Sequence, residues 1–185
     1  IGVRLVGSEM CIRDRDMADA DLEQMTDTNL VAPMALTREL LPALRKSKGQ
    51  IVNIGSVFGD IAYPFFAGYS ATKFGLRGFS DAMRRELSGA GIGVTYIAPR
   101  ATRTAKETAF EKLIEPMGMT LDSAEAVAFQ AWDAILKKKR ESFPSGKERF
   151  FVKVQRLFPS LVDKFVSAQA RDPRTLAALK GSAKT

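Results

Sequence analysis

Residues 56–73, S-V-F-G-D-I-A-Y-P-F-F-A-G-Y-S-A-T-K, limit this chain more than any other stretch, because they set a hydroxyl, a phenol and an ammonium at spacings that let them meet. Just before them, Gln50-Ile51-Val52-Asn53-Ile54-Gly55 is a short apolar run closed by glycine, which predicts a buried strand delivering Ser56 to a sheet edge. After Gly68 the spacing turns helical. Tyr69 and Lys73 are then four residues apart on one helix face, with Cβ atoms roughly 5–6 Å apart. A tyrosine ordinarily titrates near ~10 and is a weak acid at neutral pH, unless a neighbouring cation favours the phenolate. Lys73 is that cation. A phenol so primed passes a proton to or from a carbonyl or alcohol oxygen that the Ser56 hydroxyl holds, which is half of a carbonyl reduction; the other half is a hydride.

Ser56, twelve intervening residues, Tyr69-x-x-x-Lys73, the preceding I-V-N-I-G-S and the later strand Ile92-Gly93-Val94-Thr95-Tyr96-Ile97-Ala98-Pro99 together resemble a short-chain dehydrogenase/reductase, over about residues 16–140. The resemblance implies an α/β fold, a Rossmann-like doubly wound parallel sheet, and an NAD(P)-dependent oxidoreductase that interconverts a secondary alcohol and a ketone. It makes Tyr69 the proton donor or acceptor. Lys73 lowers the Tyr69 pKa and hydrogen-bonds the nicotinamide ribose, and Ser56 positions the substrate carbonyl. Asn29 opens N-L-x-A-x-x-x-x-T, where the family uses an asparagine main-chain carbonyl to hold a water in the proton relay. Pro33 sits four residues on and lacks the N–H that would bond that carbonyl, which predicts that the carbonyl serves the water. A tolerated proline kink is the competing reading. Past the strand, Pro99, Thr102 and Thr104 take the positions that contact the cofactor, NAD or NADP. Arg100 stands where the family has glycine and Thr102 where it has a hydrophobic residue. Arg103 either pairs with a phosphate or is solvated, and the solvated reading is favoured. Residues 105–119 resemble the lid that closes over substrate.

Other parts of the family pattern are absent from the sequence. There is no T-G-x-x-x-G-x-G turn and no N-A-G strand, and the residue that would choose between NAD and NADP belongs to the same part. The expectation is a C-terminal portion of the domain, with weak cofactor binding and an exposed sheet edge. Residues 88–93, S-G-A-G-I-G, do not replace the glycine-rich turn, since they end a helix and open a strand where a phosphate turn does the reverse. They read as a C-cap and turn.

Residues 1–15 resemble translated sequencing-adapter sequence and are set aside as a non-native leader, with a natural arm as the alternative. The only cysteine, Cys11, falls inside them and there is no histidine, so Cys/His metal sites and Ser-His-Asp or Cys-His nucleophiles are excluded by composition, and no metal is expected. A lone cysteine suits a reducing, cytoplasmic setting. No run of eighteen apolar residues predicts a membrane-spanning helix.

The remaining pattern is helical over 18–46, with a stripe of Leu22, Met25, Leu36, Leu40 and Leu44, and over 124–139, with 120–123 as its cap. From Tyr69 the helix continues through Leu76, Phe79, Met83 and Leu87; the family pairs helices at this position, which implies a homo-oligomer. The aromatic residues of 60–67 either line an apolar substrate pocket or pack, and packing is the commoner role. Residues 137–185 carry thirteen Lys/Arg against four Asp/Glu, a balance of +9, while the rest of the chain sums to −2. In the tail, 141–185, one face carries Phe150, Phe151, Val154, Leu157, Phe158, Leu161, Val162 and Phe165, and the other Lys147, Arg149, Lys153, Arg156 and Lys164. That predicts either a tail folded back over the pocket or an interface, which is favoured, or contact with an anionic membrane surface. The chain is expected to fray after Arg171, and no nucleic-acid partner is expected, since no recognised module frames the basic residues. The reading to set against an oxidoreductase is a non-catalytic or membrane-associated binding protein that keeps a reductase fold.

Overall fold

A computed structural model describes residues 17–103 and 111–182, apart from the side chains of 111 and 180–182. Its sheet has three parallel strands in the order β1 (Gln50–Ile54), β2 (Gly93–Ile97) and β3 (Glu141–Ser142). The register runs from Gln50↔Gly93 to Ile54↔Ile97 between β1 and β2, and only Tyr96↔Glu141 and Ile97↔Ser142 pair in β2 and β3. The third strand thus falls just past residue 140. Main-chain bonds carry the pairing beyond the strand ends, with Gly55 N donating to Ile97 O at 2.7 Å and Val57 N to Pro99 O at 3.0 Å. The carboxyl ends of β1 and β2 are locked together there, where a parallel sheet presents its crevice.

Parallel neighbours need a crossover, and α3 (Ala67–Glu86) supplies it between β1 and β2. It closes on one sheet face: Ile51, Leu87, Ile92 and Val94 form one cluster, and Leu76, Tyr96 and Ala98 another. After β2 come the short α4 (Glu111–Ile114) and α5 (Ala124–Leu136), and α5 packs on β2 and β3. β1 departs from the fully buried strand that its composition predicts. Ile51 and Asn53 are buried while Ile54 is 40% exposed, because among the described residues no strand flanks its outer edge and cover comes from one face.

The long N-terminal helix is broken in a specific way. α1 (Asp19–Thr26) passes into a π-helical turn at Asp27–Val31 and then into α2 (Ala32–Ser47). Pro33 cannot donate to the Asn29 carbonyl, and a turn bonded five residues on, one wider than an α turn, accommodates that loss. The turn takes up one extra residue. The inward face after it therefore falls on Thr37, Leu41 and Leu44, while Leu36 and Leu40 of the expected stripe are exposed.

Three further expectations are corrected. α5 ends at Leu136 rather than Lys139, and Lys138 turns left-handed at φ 47°. The chain does not fray after Arg171: α6 (Glu148–Leu157) and α7 (Pro159–Arg171) are followed by α8 (Pro173–Ser182). Asp172 caps α8 by accepting from Arg174 N at 2.8 Å, Pro173 starts the helix, and Leu179 is buried against Phe66, Leu113 and Met117. The tail does fold back, but the marked apolar face is divided: Val162 packs inward with Val152, Val166 and Ile61, with Phe151 and Val154 beside them, while Phe150, Leu157, Phe158, Leu161 and Phe165 stay exposed.

Candidate active site

Ser56 leaves β1 in extended conformation, and its Oγ accepts from Phe58 N at 3.1 Å to cap the 3₁₀ turn Val57–Gly59. That turn brings the chain back towards α3, where Tyr69 lies in the first turn and Lys73 in the next. The Ser56 hydroxyl lies beside the Tyr69 phenol, where it favours the ionised form. Lys73 Nζ lies 5.4 Å from the centre of the Tyr69 ring and donates to the Ile54 carbonyl at 3.3 Å. Hydroxyl, phenol and ammonium therefore meet at the carboxyl end of β1.

The electrostatics differ from what the spacing alone predicts. Burial raises the Tyr69 pKa, and the Ser56 hydroxyl opposes this only in part. Burial lowers that of Lys73 to about 8. The reason is geometric: the ammonium lies over the ring and is tied to a main-chain carbonyl, while both groups are crowded by protein that disfavours their charged forms.

Asn29 joins through a chain of bonds. Its Nδ2 donates to Thr72 Oγ1 at 3.2 Å, and Thr72 Oγ1 donates to the Tyr69 carbonyl at 2.8 Å. The π turn is thereby attached to the helix turn that carries Tyr69. The aromatic loop packs: Phe58 stacks on Tyr63 with centroids 4.7 Å apart and meets Tyr69 edge-on at 6.0 Å, above Phe66, Leu113, Met117 and Leu179. The ceiling over the phenol is therefore apolar. Leu113 and Met117 come from the segment that resembles a lid.

Tyr96 was not singled out by sequence. Its one O–H lies within reach of two carbonyls, Ser56 at 3.3 Å and Lys73 at 3.5 Å, and donates to one at a time, while its oxygen accepts from Ser56 N at 3.4 Å. These bonds are long, yet one buried oxygen spans the main chain of two site residues, and burial drives its pKa upward. The ring occupies space that glycine leaves. A Cβ on Gly55 would lie 2.1 Å from the Tyr96 ring, and one on Gly59 2.4 Å from its hydroxyl oxygen. Gly55 and Gly59 on either side of Ser56 are a readable sign of close approach, but their partner lies some forty residues away.

Behind the site, Arg77 donates to Asp60 at 2.8 Å and Glu141 at 2.7 Å, and Arg156 from α6 reaches the other Asp60 oxygen at 2.8 Å. Burial raises the Asp60 pKa against the pull of Arg77. The network links the loop after Ser56 to α3, β3 and the tail.

The expected cofactor positions are less closely gathered. Pro99 abuts Val57 through its carbonyl. Thr102 forms a bridge with Asp122 and bonds the Arg100 carbonyl at 3.0 Å, while Thr104 lies outside the described residues. Arg100 grips Asp122 with two bonds of 2.6 and 2.8 Å and Glu148 at 2.7 Å, so its side chain is drawn towards α5 and α6. Arg103 is exposed and has no ion pair among the described residues. For a nicotinamide ribose the donor set is suitable. Among the described residues Lys73 commits one of its three N–H groups, to Ile54, and the phenol stands beside it.

A family model for short chain dehydrogenases matches residues 4–113, starting inside the segment set aside as a leader. A 3-amino-tetrahydro-pyrrolizinone reductase of Xenorhabdus hominickii is 41% identical over 88 residues, 48% of this chain and 31% of that protein. Among solved structures, a 4-hydroxyisoleucine dehydrogenase complexed with NADH and succinate superposes with a TM-score of 0.64 at 28% identity, over 76% of this chain and 64% of that one. A short-chain dehydrogenase from Burkholderia cenocepacia in complex with NADP shares the fold, with a TM-score of 0.73 at 15% identity over 88% of this chain and 66% of that one. The chain belongs to the short-chain dehydrogenase family. It spans about a third of the length of the curated reductase it matches.

Proposed function

We propose that the protein is an NAD(P)-dependent oxidoreductase that interconverts a secondary alcohol and a ketone, with Tyr69 moving the proton. The convergence of Ser56, Tyr69 and Lys73 at the end of β1 carries this reading. In the direction of reduction the Ser56 hydroxyl holds the carbonyl oxygen and the Tyr69 phenol gives it a proton as the carbonyl carbon gains its hydrogen. The nicotinamide cofactor, when bound, supplies or accepts the hydride. Tyr69 and Lys73 would hold its ribose, with Pro99, Thr102 and Thr104 at the nicotinamide and phosphate side. The relatives support either NAD or NADP, since the similar structures were solved with NADH and with NADP.

The substrate fits the apolar class, because Tyr69 is packed against an apolar cluster of Phe58, Phe66, Leu113, Met117 and Leu179. Asn29 serves as a positioning residue, through Thr72, for the turn that holds Tyr69. Exposed Met34, Leu36 and Leu40 on α2 and Phe74 on α3 suit a homo-oligomeric contact. The test is Tyr69→Phe in the protein carrying its glycine-rich cofactor turn. Hydride transfer to a ketone is expected to fall by at least 10²-fold, the scale of a lost general acid, with the fold intact. Undiminished turnover in that variant would remove the proton role from Tyr69.

A further inference from the structure

We infer that the outward face of the α6–α7 hairpin docks on an anionic lipid surface, independently of the oxidoreductase reading. The fold uses only one side of this hairpin, where Val152, Val162 and Val166 pack on Ile61. The other side is apolar and uncovered. Phe150, Leu157, Phe158, Leu161 and Phe165 are 57–71% exposed. They form one surface: Phe150 meets Phe151 at 6.0 Å, and Phe151 stacks on Phe165 at 6.2 Å, which joins the two helices.

Charge identifies the occupant. Lys153 lies between Phe150 and Leu157 on the face of α6, and Lys164 borders Leu161 and Phe165 on α7, at helical spacings of three and four or side by side. Lys147 and Arg149 stand at the start of α6. All four are exposed and none has an ion pair among the described residues. The acids nearby are turned elsewhere: Glu148 is held by Arg100, and Asp163 projects from the side of α7 away from Leu161 and Phe165. An apolar surface edged by unpaired cations matches an acyl boundary under anionic headgroups. A second copy fits less well, because a two-fold contact through this face would set the same cations against each other. No helix among the described residues is long and apolar enough to cross a membrane, so the contact lies in the plane of the surface. A second exposed apolar face, Phe129, Trp132 and Leu136 on α5, lacks this pattern, since the neighbouring Lys137 and Lys139 are both paired with Asp133.

The test is co-sedimentation of the 185-residue chain with phosphatidylcholine vesicles and with mixed phosphatidylcholine–phosphatidylglycerol vesicles. The chain is expected to pellet with the mixed vesicles, much less with the neutral ones, and less as salt is raised. Lys153→Gln with Lys164→Gln is expected to weaken partition roughly 25-fold, at about fivefold per cation near the surface. Leu157→Ser with Phe158→Ser should abolish it, and Trp132→Ser should leave it unchanged. Urea midpoints establish that each variant folds, and the lysine pair stands alone if the apolar pair does not. Equal pelleting with both vesicle types, or binding lost in Trp132→Ser but kept in the lysine pair, would overturn the inference. So would absence of vesicle binding with a dimer in solution that Leu157→Ser converts to monomer, which would assign the face to a second copy.

Discussion

Replacing Lys73 by Met asks whether the site carries a charge that its own burial opposes. Lys73 is 9% exposed and bonds the Ile54 carbonyl at 3.3 Å, and burial takes its pKa from 10.5 to about 8. A fall of that size corresponds to about 3 kcal/mol, at about 1.4 kcal/mol for each factor of ten. Methionine has a similar length and no charge, so it removes that cost together with one hydrogen bond of about 1 kcal/mol. The net expectation is a gain of about 2 kcal/mol in the stability of the variant in mildly acidic to neutral solution. The pH window follows from the direction of the shift. With the folded value below the unfolded one, the cost is fully present below about 8 and fades as pH rises to 10.5, where the unfolded chain also loses its proton. Above that window the variant should be the less stable by the missing hydrogen bond. Paired urea titrations of wild type and variant, one near neutrality and one above the window, make the comparison, and the other titrating groups cancel between them. A variant less stable near neutrality, or a difference that does not change with pH, would refute a desolvated ammonium at this position. Under the proposed chemistry the same substitution abolishes turnover, so stability and function should move in opposite directions.

Gly55→Ala sets a Cβ 2.1 Å from the Tyr96 ring and is expected to cost several kcal/mol in urea unfolding. Combining it with Tyr96→Ala should cost less than the two single changes together; strict additivity would mean the two sites do not share that space. Tyr96→Phe keeps the ring and removes the hydroxyl over Ser56 and Lys73, so stability should drop by about 1 kcal/mol and kcat should fall with KM unchanged. An unchanged kcat would confine Tyr96 to packing. Leu179→Ala empties a side chain buried among Phe66, Leu113 and Met117, and a loss of about 2–5 kcal/mol in the urea midpoint is expected. A loss of a few tenths would mean that α8 does not dock there.

The proximity of Ser56, Tyr69 and Lys73 was legible because they sit within one strand–turn–helix unit, where sequence spacing and spatial spacing nearly coincide. Ser56 at a strand end and Tyr69 and Lys73 one turn apart need no long-range contact to be brought together. What escaped reading depends on partners far along the chain. Tyr96 meets Ser56 across forty residues, Arg156 reaches Asp60 across ninety-six, and Arg100 is held by Glu148 forty-eight residues on. Periodicity failed where the period changed: the π turn added one residue, which exchanged Leu36 and Leu40 for Thr37 and Leu41 on the inward face. In α6 and α7 it succeeded only in part, since one broad apolar face is split between an inward part, Phe151, Val154 and Val162, and an exposed part, Phe150, Leu157, Phe158, Leu161 and Phe165, and the pattern cannot say where the fold divides it. The start of α8 was a different kind of miss. Asp172 followed by Pro173 is a local cap signal that the sequence itself carries.

Burial of the trio also bears on the direction in which the proposed chemistry runs. With Tyr69 raised above its ordinary value of 10, the resting site at neutral pH holds a protonated phenol, and Lys73, at about 8, is still mostly an ammonium. Reduction needs the phenol as an acid, which is the form already present. Oxidation needs it as a base, a form that burial keeps scarce. In kcat/KM profiles, which report the free enzyme, reduction should therefore be level below about 8, the Lys73 value. Oxidation should climb about tenfold for each tenfold fall in proton concentration across the same range, because the fraction of phenolate limits it. Initial rates measured in both directions at matched cofactor saturation give the two profiles. A level oxidation profile across that range would mean that the proton leaves through a group other than the buried phenol described here.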